Sequence, residues 1–123
     1  MPARILILDD QPPMAGTAAL LVAVFGYEPV QCHLPAEALC RLRDEPFDLL
    51  LTDYEMPMLT GLDVVERLRQ VDCLVPVVLM SGNAGRIDRT RAWRLGVTII
   101  LSKPFGMDEL RAALHSALGT APA

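Results

Sequence analysis

Four aliphatic runs in the sequence are each followed by residues able to do chemistry. Residues 5–8 lead into Asp9 and Asp10, and residues 49–51 into Thr52 and Asp53. Residues 77–80 lead into Ser81 and Gly82, and residues 99–101 into Ser102, Lys103 and Pro104. If those ends meet, three carboxylates, a hydroxyl and an ammonium share one site. Carboxylates held together repel, so a proton or a cation must offset them. Oxygen-only ligands suit a hard divalent ion, and Mg²⁺ keeps waters while taking one or two carboxylates and a phosphate oxygen. Protonated Lys103 is no metal ligand, but it can pair with Asp53 or a phosphoryl oxygen. Ser81 can donate one hydrogen bond to the same group. A carboxylate set among a metal, a lysine and a hydroxyl suits phosphoryl transfer, where positioning and charge neutralisation supply most of the catalysis.

The elements that must position these residues are legible as well. The runs are continuous rather than alternating, which predicts strands buried on both faces. Residues 29–32 form a weaker strand candidate. Between the runs lie amphipathic stretches at 13–25, 35–43, Gly61–Gln70, 86–95 and 107–118. Pro12 and Pro13 suit a first helical turn, where a missing N–H costs little. Gly26, Gly96 and Gly119 are natural stops, and Asp108 and Glu109 complement the positive end of the last helix. Strand and helix alternate five times, which predicts an α/β fold with a parallel sheet and right-handed crossovers. In such a sheet the carboxyl ends of the strands lie on one edge, where ligands bind.

The length of 123 residues predicts one domain over 1–123, with 119–123 as a frayed tail. Hydrophobic residues make up 52% and aromatics 5%, so aliphatic side chains must build the core. The apolar stretches are too short to span a bilayer. No basic region followed by a long apolar one opens the chain, so the expectation is cytoplasmic, without a membrane. A net charge of −4 argues against direct nucleic-acid binding. Arg86, Arg89, Arg91 and Arg94 read as a solvated helix face. Cys32, Cys40 and Cys73 lack zinc-ligand spacing and read as buried thiols. His33 and His115 read as surface histidines, and Trp93 as packing of the fourth helix. Singly, Asp9 and Asp10 could be a helix cap, Asp53 a turn residue and Lys103 a surface lysine. Jointly, the four sites favour chemistry.

Four stretches now carry a resemblance: Leu8-Asp9-Asp10; Thr52-Asp53-Tyr54-Glu55-Met56-Pro57 with Gly61; Met80-Ser81-Gly82; and Lys103-Pro104-Phe105. In order and spacing they resemble the response-regulator receiver domain of two-component signalling, of the chemotaxis-regulator kind, over essentially the whole chain. The resemblance implies a flavodoxin-like (βα)5 fold with strand order 2-1-3-4-5. It implies that Asp53 is the phosphoacceptor. Asp10 and Asp53 would ligate Mg²⁺ (or Mn²⁺) directly, Asp9 through water, and Glu55 by its backbone carbonyl. Ser81, Gly82 and Lys103 would surround the phosphoryl group, Lys103–Pro104 would be a cis peptide, and Met56, Pro57 and Gly61 would shape the loop after Asp53. The phosphodonor would be a sensor histidine kinase or a histidine phosphotransfer protein, and the acceptor would switch a partner or output domain. A slowly self-dephosphorylating acceptor is implied, rather than a turnover enzyme.

Ile100 departs from the family, which often carries Tyr or Phe three residues before the lysine. The expectation is that signalling relies on movement of a loop and the fourth helix rather than on side-chain rotation at this position. Glu55 and Asn83 flank the site where the family tunes dephosphorylation, and the charge of Glu55 is expected to affect the lifetime of an acyl phosphate. An aspartate-nucleophile phosphatase would need a second Asp two positions after the first, and Tyr54 and Glu55 follow Asp53 instead. A degenerate receiver that only docks is disfavoured by the intact acidic, Ser81 and Lys103 set, though Ile100 is compatible with it. A flavin module would need a phosphate loop after the first strand, and none is present.

Overall fold

The computed structural model describes residues 2–119. The elements are β1 (Arg4–Leu8), α1 (Pro12–Val24), β2 (Glu28–Cys32), α2 (Pro35–Asp44), β3 (Leu49–Asp53) and α3 (Gly61–Gln70). They continue with β4 (Val77–Ser81), a 3-10 turn (Ala84–Arg86), α4 (Arg89–Arg94), β5 (Ile99–Ser102) and α5 (Met107–Ala117). Five parallel strands lie in the order β2-β1-β3-β4-β5, the flavodoxin-like arrangement.

The continuous apolar runs follow from the two faces of this sheet. Successive strand side chains point to opposite sides. Leu6, Leu8, Leu50 and Leu79 pack with Ala38 and Leu42 of α2, Leu62, Val65 and Leu68 of α3, and Ala92 of α4. Ile5, Ile7, Leu49, Leu51, Val78 and Met80 pack on the other side with α1 and α5. Every residue of β3 and β4 is buried, so neither strand could afford alternation. Helix α1 meets the sheet through Ala15, Ala18, Ala19 and Val22, and leaves Leu20 and Val24 exposed. It ends at Gly26, whose φ of +94° is favourable only without a side chain.

The fourth helix departs from the single helix expected over 86–95. Ile87 is extended and 5% exposed, a core residue placed between two short helical pieces. Asp88 then restarts the chain as a cap, its carboxylate accepting the Arg91 N–H. Trp93, expected to pack this helix, is 71% exposed, because so short a helix buries only Ala92. The cysteine expectation also needs correction: Cys32 is buried, Cys73 half-buried and Cys40 exposed, all as free thiols. Arg91 is no solvated bystander, since its guanidinium pairs with Asp63 at 2.9 Å and Glu66 at 3.5 Å. Of the expected tail, Gly119 is a turn residue after α5, and 120–123 lie outside the described residues. Among the described residues no helix is long and apolar enough to cross a membrane.

Candidate functional site

The carboxyl edge of the sheet brings the acidic residues together. Asp9 extends β1 by one ladder bond, its N–H donating to the Cys32 carbonyl at 3.1 Å. Asp9 is 2% exposed and its side chain accepts the Gln11 N–H at 3.0 Å, so it also steadies the start of α1. Asp10 is half-buried beside it. Asp53 ends β3 at 6% exposure, and the next residue, Tyr54, donates its N–H to the Met80 carbonyl of β4. One carboxylate oxygen from each of Asp9, Asp10 and Asp53 lies within 4.8 Å of the others.

Lys103 arrives from β5, its N–H held by the Ser81 carbonyl at 2.8 Å. Its ammonium stands 3.2 Å from Asp53 Oδ1 and 3.9 Å from Asp9 Oδ2. The Lys103–Pro104 peptide is cis. Burial pushes the Asp53 carboxyl above its usual range; Lys103 opposes that, and the charges of Asp9 and Glu55 reinforce it. One ammonium therefore does not balance the acids around it. An all-oxygen donor set with excess negative charge fits a hard divalent cation of the Mg²⁺ kind, and no His or Cys belongs to the cluster.

Ser81 ends β4 fully buried. Its hydroxyl donates not to Asp53 but to Glu55 Oε2, at 2.6 Å. The Gly82 N–H donates to the other oxygen of the same carboxylate at 3.0 Å, and the Asn83 N–H donates to Ser81 Oγ at 2.9 Å. The family resemblance placed Glu55 by its backbone carbonyl and set its charge beside an acyl phosphate; the side chain's reach across to β4 was missed. The available signal was an acid two residues past Asp53 opposite a hydroxyl at the same edge. Gly82 is exposed, and a side chain there would meet nothing within 4 Å.

Supporting residues fall as their types suggest. The Gly61 N–H donates to the Tyr54 carbonyl at 2.9 Å, closing the loop that leaves Asp53. A Cβ on Gly61 would lie 2.6 Å from the Asp53 carbonyl oxygen, so only glycine lets α3 start there. Thr60 and Asp63 complete a capping box at that start. Ile100 is half-buried against the core under α2, α3 and α4. His33, read as a surface residue, sets Nδ1 3.2 Å from the Asp9 carbonyl oxygen. A largely apolar cavity of about 390 Å³ opens beside the acids, between Met14 and Leu21 of α1 and Phe105.

Comparison with known proteins agrees with this geometry. The family described as the response regulator receiver domain matches residues 5–115. The transcriptional regulatory protein KdpE of Mycobacterium tuberculosis is 31% identical over 114 residues, which is 93% of this chain and 50% of KdpE. The chain thus spans about half the length of that relative. A CheY-like receiver domain protein from Methanospirillum hungatei superposes with a TM-score of 0.88 at 22% identity, covering 97% of this chain and 95% of that one. The response regulator TrrA of Thermotoga maritima, solved in complex with Mg²⁺-BeF, superposes with a TM-score of 0.84 at 25% identity, covering 94% and 98%. With the family match running from β1 into α5, and the acids, Ser81 and Lys103 gathered on one edge, this chain belongs to the response regulator receiver domain family.

Proposed function

We propose that the chain is a single receiver unit that accepts a phosphoryl group on Asp53 from a phosphohistidine of a sensor histidine kinase or histidine phosphotransfer protein. An Asp53 carboxylate oxygen attacks phosphorus, the P–N bond to the donor imidazole breaks, and the imidazole leaves with its electron pair and takes up a proton. Lys103 holds charge at the acceptor, and Asp9 and Asp10 complete the acidic set with Asp53. These residues would hold Mg²⁺, or Mn²⁺ in its place, which when bound supplies neutralisation of the charge on the transferring group. The observation that carries the reading is the Lys103 ammonium 3.2 Å from a buried Asp53 in a cluster of three acids.

The product is a switch rather than a turnover catalyst. Acyl phosphate on Asp53 shifts the balance between two conformations, and a partner or output domain reads the shift. The name of KdpE supports a transcriptional output. This chain's own charge of −4 is unsuited to touching nucleic acid directly. The test is incubation with a small phosphodonor and Mg²⁺, followed by intact mass. One labile phosphoryl adduct is expected on the wild type and none on Asp53→Asn or in chelator. An adduct that survives Asp53→Asn rejects the assignment, and multiple-turnover release of phosphate from a small phosphate ester would instead favour an aspartate-nucleophile phosphatase.

A further inference from the structure

The grip of Glu55 on β4 has a consequence for how the site is loaded. Ser81 Oγ and the Gly82 N–H are neighbouring donors aimed at one anion, and each meets a different oxygen of the Glu55 carboxylate, at 2.6 and 3.0 Å. A hydroxyl has one proton to give. The Asn83 N–H occupies an acceptor site on Ser81 Oγ, which leaves the hydroxyl proton directed at Glu55. Neither donor can serve Glu55 and a phosphoryl oxygen on Asp53 at once. Hydrogen bonds to a charged acceptor are roughly twice as strong as neutral ones, so this engagement is not idle. Glu55 is itself exposed and can swing into water without stranding a buried charge, whereas Ser81 is fully buried and cannot.

We propose that Glu55 is an internal anion that occupies the Ser81 hydroxyl and Gly82 amide while Asp53 is unmodified, and that a phosphoryl group must displace it to take them. Glu55 is thus a positioning residue that holds the resting form and raises the barrier to phosphorylation. This rests on the reading of Asp53 as the phosphoacceptor. Its effect runs through two named donors, which separates it from plain repulsion between a carboxylate and an incoming anion.

The test pairs Glu55→Gln with Ser81→Ala. With saturating Mg²⁺ and a small phosphodonor, Glu55→Gln is expected to be modified about tenfold faster than the wild type, the loss of charge-assisted bonding at two donors. In the Ser81→Ala background the same substitution should gain much less, because one of the two donors is already gone. An equal gain in both backgrounds means repulsion alone and overturns the proposal, as does no gain in either. The Gly82 amide resonance gives a second readout on the unmodified, metal-free protein, and does not depend on Ser81→Ala folding. It should move on Glu55→Gln, and an unmoved resonance also overturns the proposal. If neither the wild type nor Glu55→Gln is modified, Asp53 is not the acceptor and the gate falls with it. If both are modified at one rate, only the gate falls.

Discussion

Asp53 sits where burial and neighbouring acids disfavour its charge and a single ammonium favours it. Burial wins, so its carboxyl titrates above the usual range. A group whose folded pKa lies above its unfolded value contributes stability below the unfolded pKa and loses it as pH rises through the folded one. Ionised Asp53 therefore costs stability at neutral pH when no cation is bound. Asp53→Asn should raise Tm in chelator at neutral pH, with the gain fading toward about pH 4 as the wild-type carboxyl protonates. Lys103 loses a partner in the variant, but its side chain is 23% exposed and can turn to water, so that loss is the smaller effect. Mg²⁺ should raise the Tm of the wild type more than that of the variant. Melting curves across pH, with and without Mg²⁺, check both statements, and a lower Tm for Asp53→Asn in chelator would contradict the first. These residues were legible because each stands at the end of an apolar run, where the topology fixes its edge. The Glu55 side chain was not, since no periodicity sets the direction of a side chain two residues beyond a strand.

Helix α3 shows what sequence specifies at the level of one element. Its bounds were expected at Gly61–Gln70, and the capping box and apolar spacing deliver them. Gly61 also sits against the strand end that carries Asp53. An added methyl would press on the Asp53 carbonyl oxygen at 2.6 Å and on Leu79 Cδ2 at 2.8 Å. The oxygen belongs to the backbone that aims Asp53, so it cannot yield cheaply. Gly61→Ala is expected to cost about 1–3 kcal/mol, the usual range for overpacking, and to slow modification of Asp53. Denaturant unfolding and the phosphodonor assay measure the two effects, and unaltered stability would show that α3 can shift freely. The fourth helix was less legible, because Ile87 interrupts it for the sake of the core and Asp88 restarts it. The Arg69 guanidinium donates to the carbonyls of Leu95, Cys73 and Val75, tying α3 to the connection that leads into β4 and to the end of α4. Leu95 lies 26 residues beyond Arg69, a separation that local pattern cannot bridge.

Across the whole molecule, a change at Ser81 has two routes outward: through β5 and Ile100, or through the segment that follows Gly82. Ile100 has no ring to rotate and is packed against the core under α2, α3 and α4. Moving it would disturb close-packed aliphatic side chains with no polar group to reward the move. The other route is soft. Gly82, Asn83, Gly85 and Arg86 are exposed, α4 is six residues long, and between 82 and 95 only Ile87 and Ala92 are buried. Asn83 is bonded directly to the Ser81 hydroxyl, so release of that hydroxyl from Glu55 is felt there first. Arg91 and Arg69 tether the far end of the segment to α3, which makes them the contacts an altered α4 must strain or break. Few buried contacts and exposed backbone mark the low-stability parts of a fold, from which moving elements are drawn. Hydrogen exchange with and without Mg²⁺ and beryllofluoride is expected to change most over residues 82–95, with smaller change in β5. Change confined to β5 while 82–95 stays silent would place the readout at Ile100 after all.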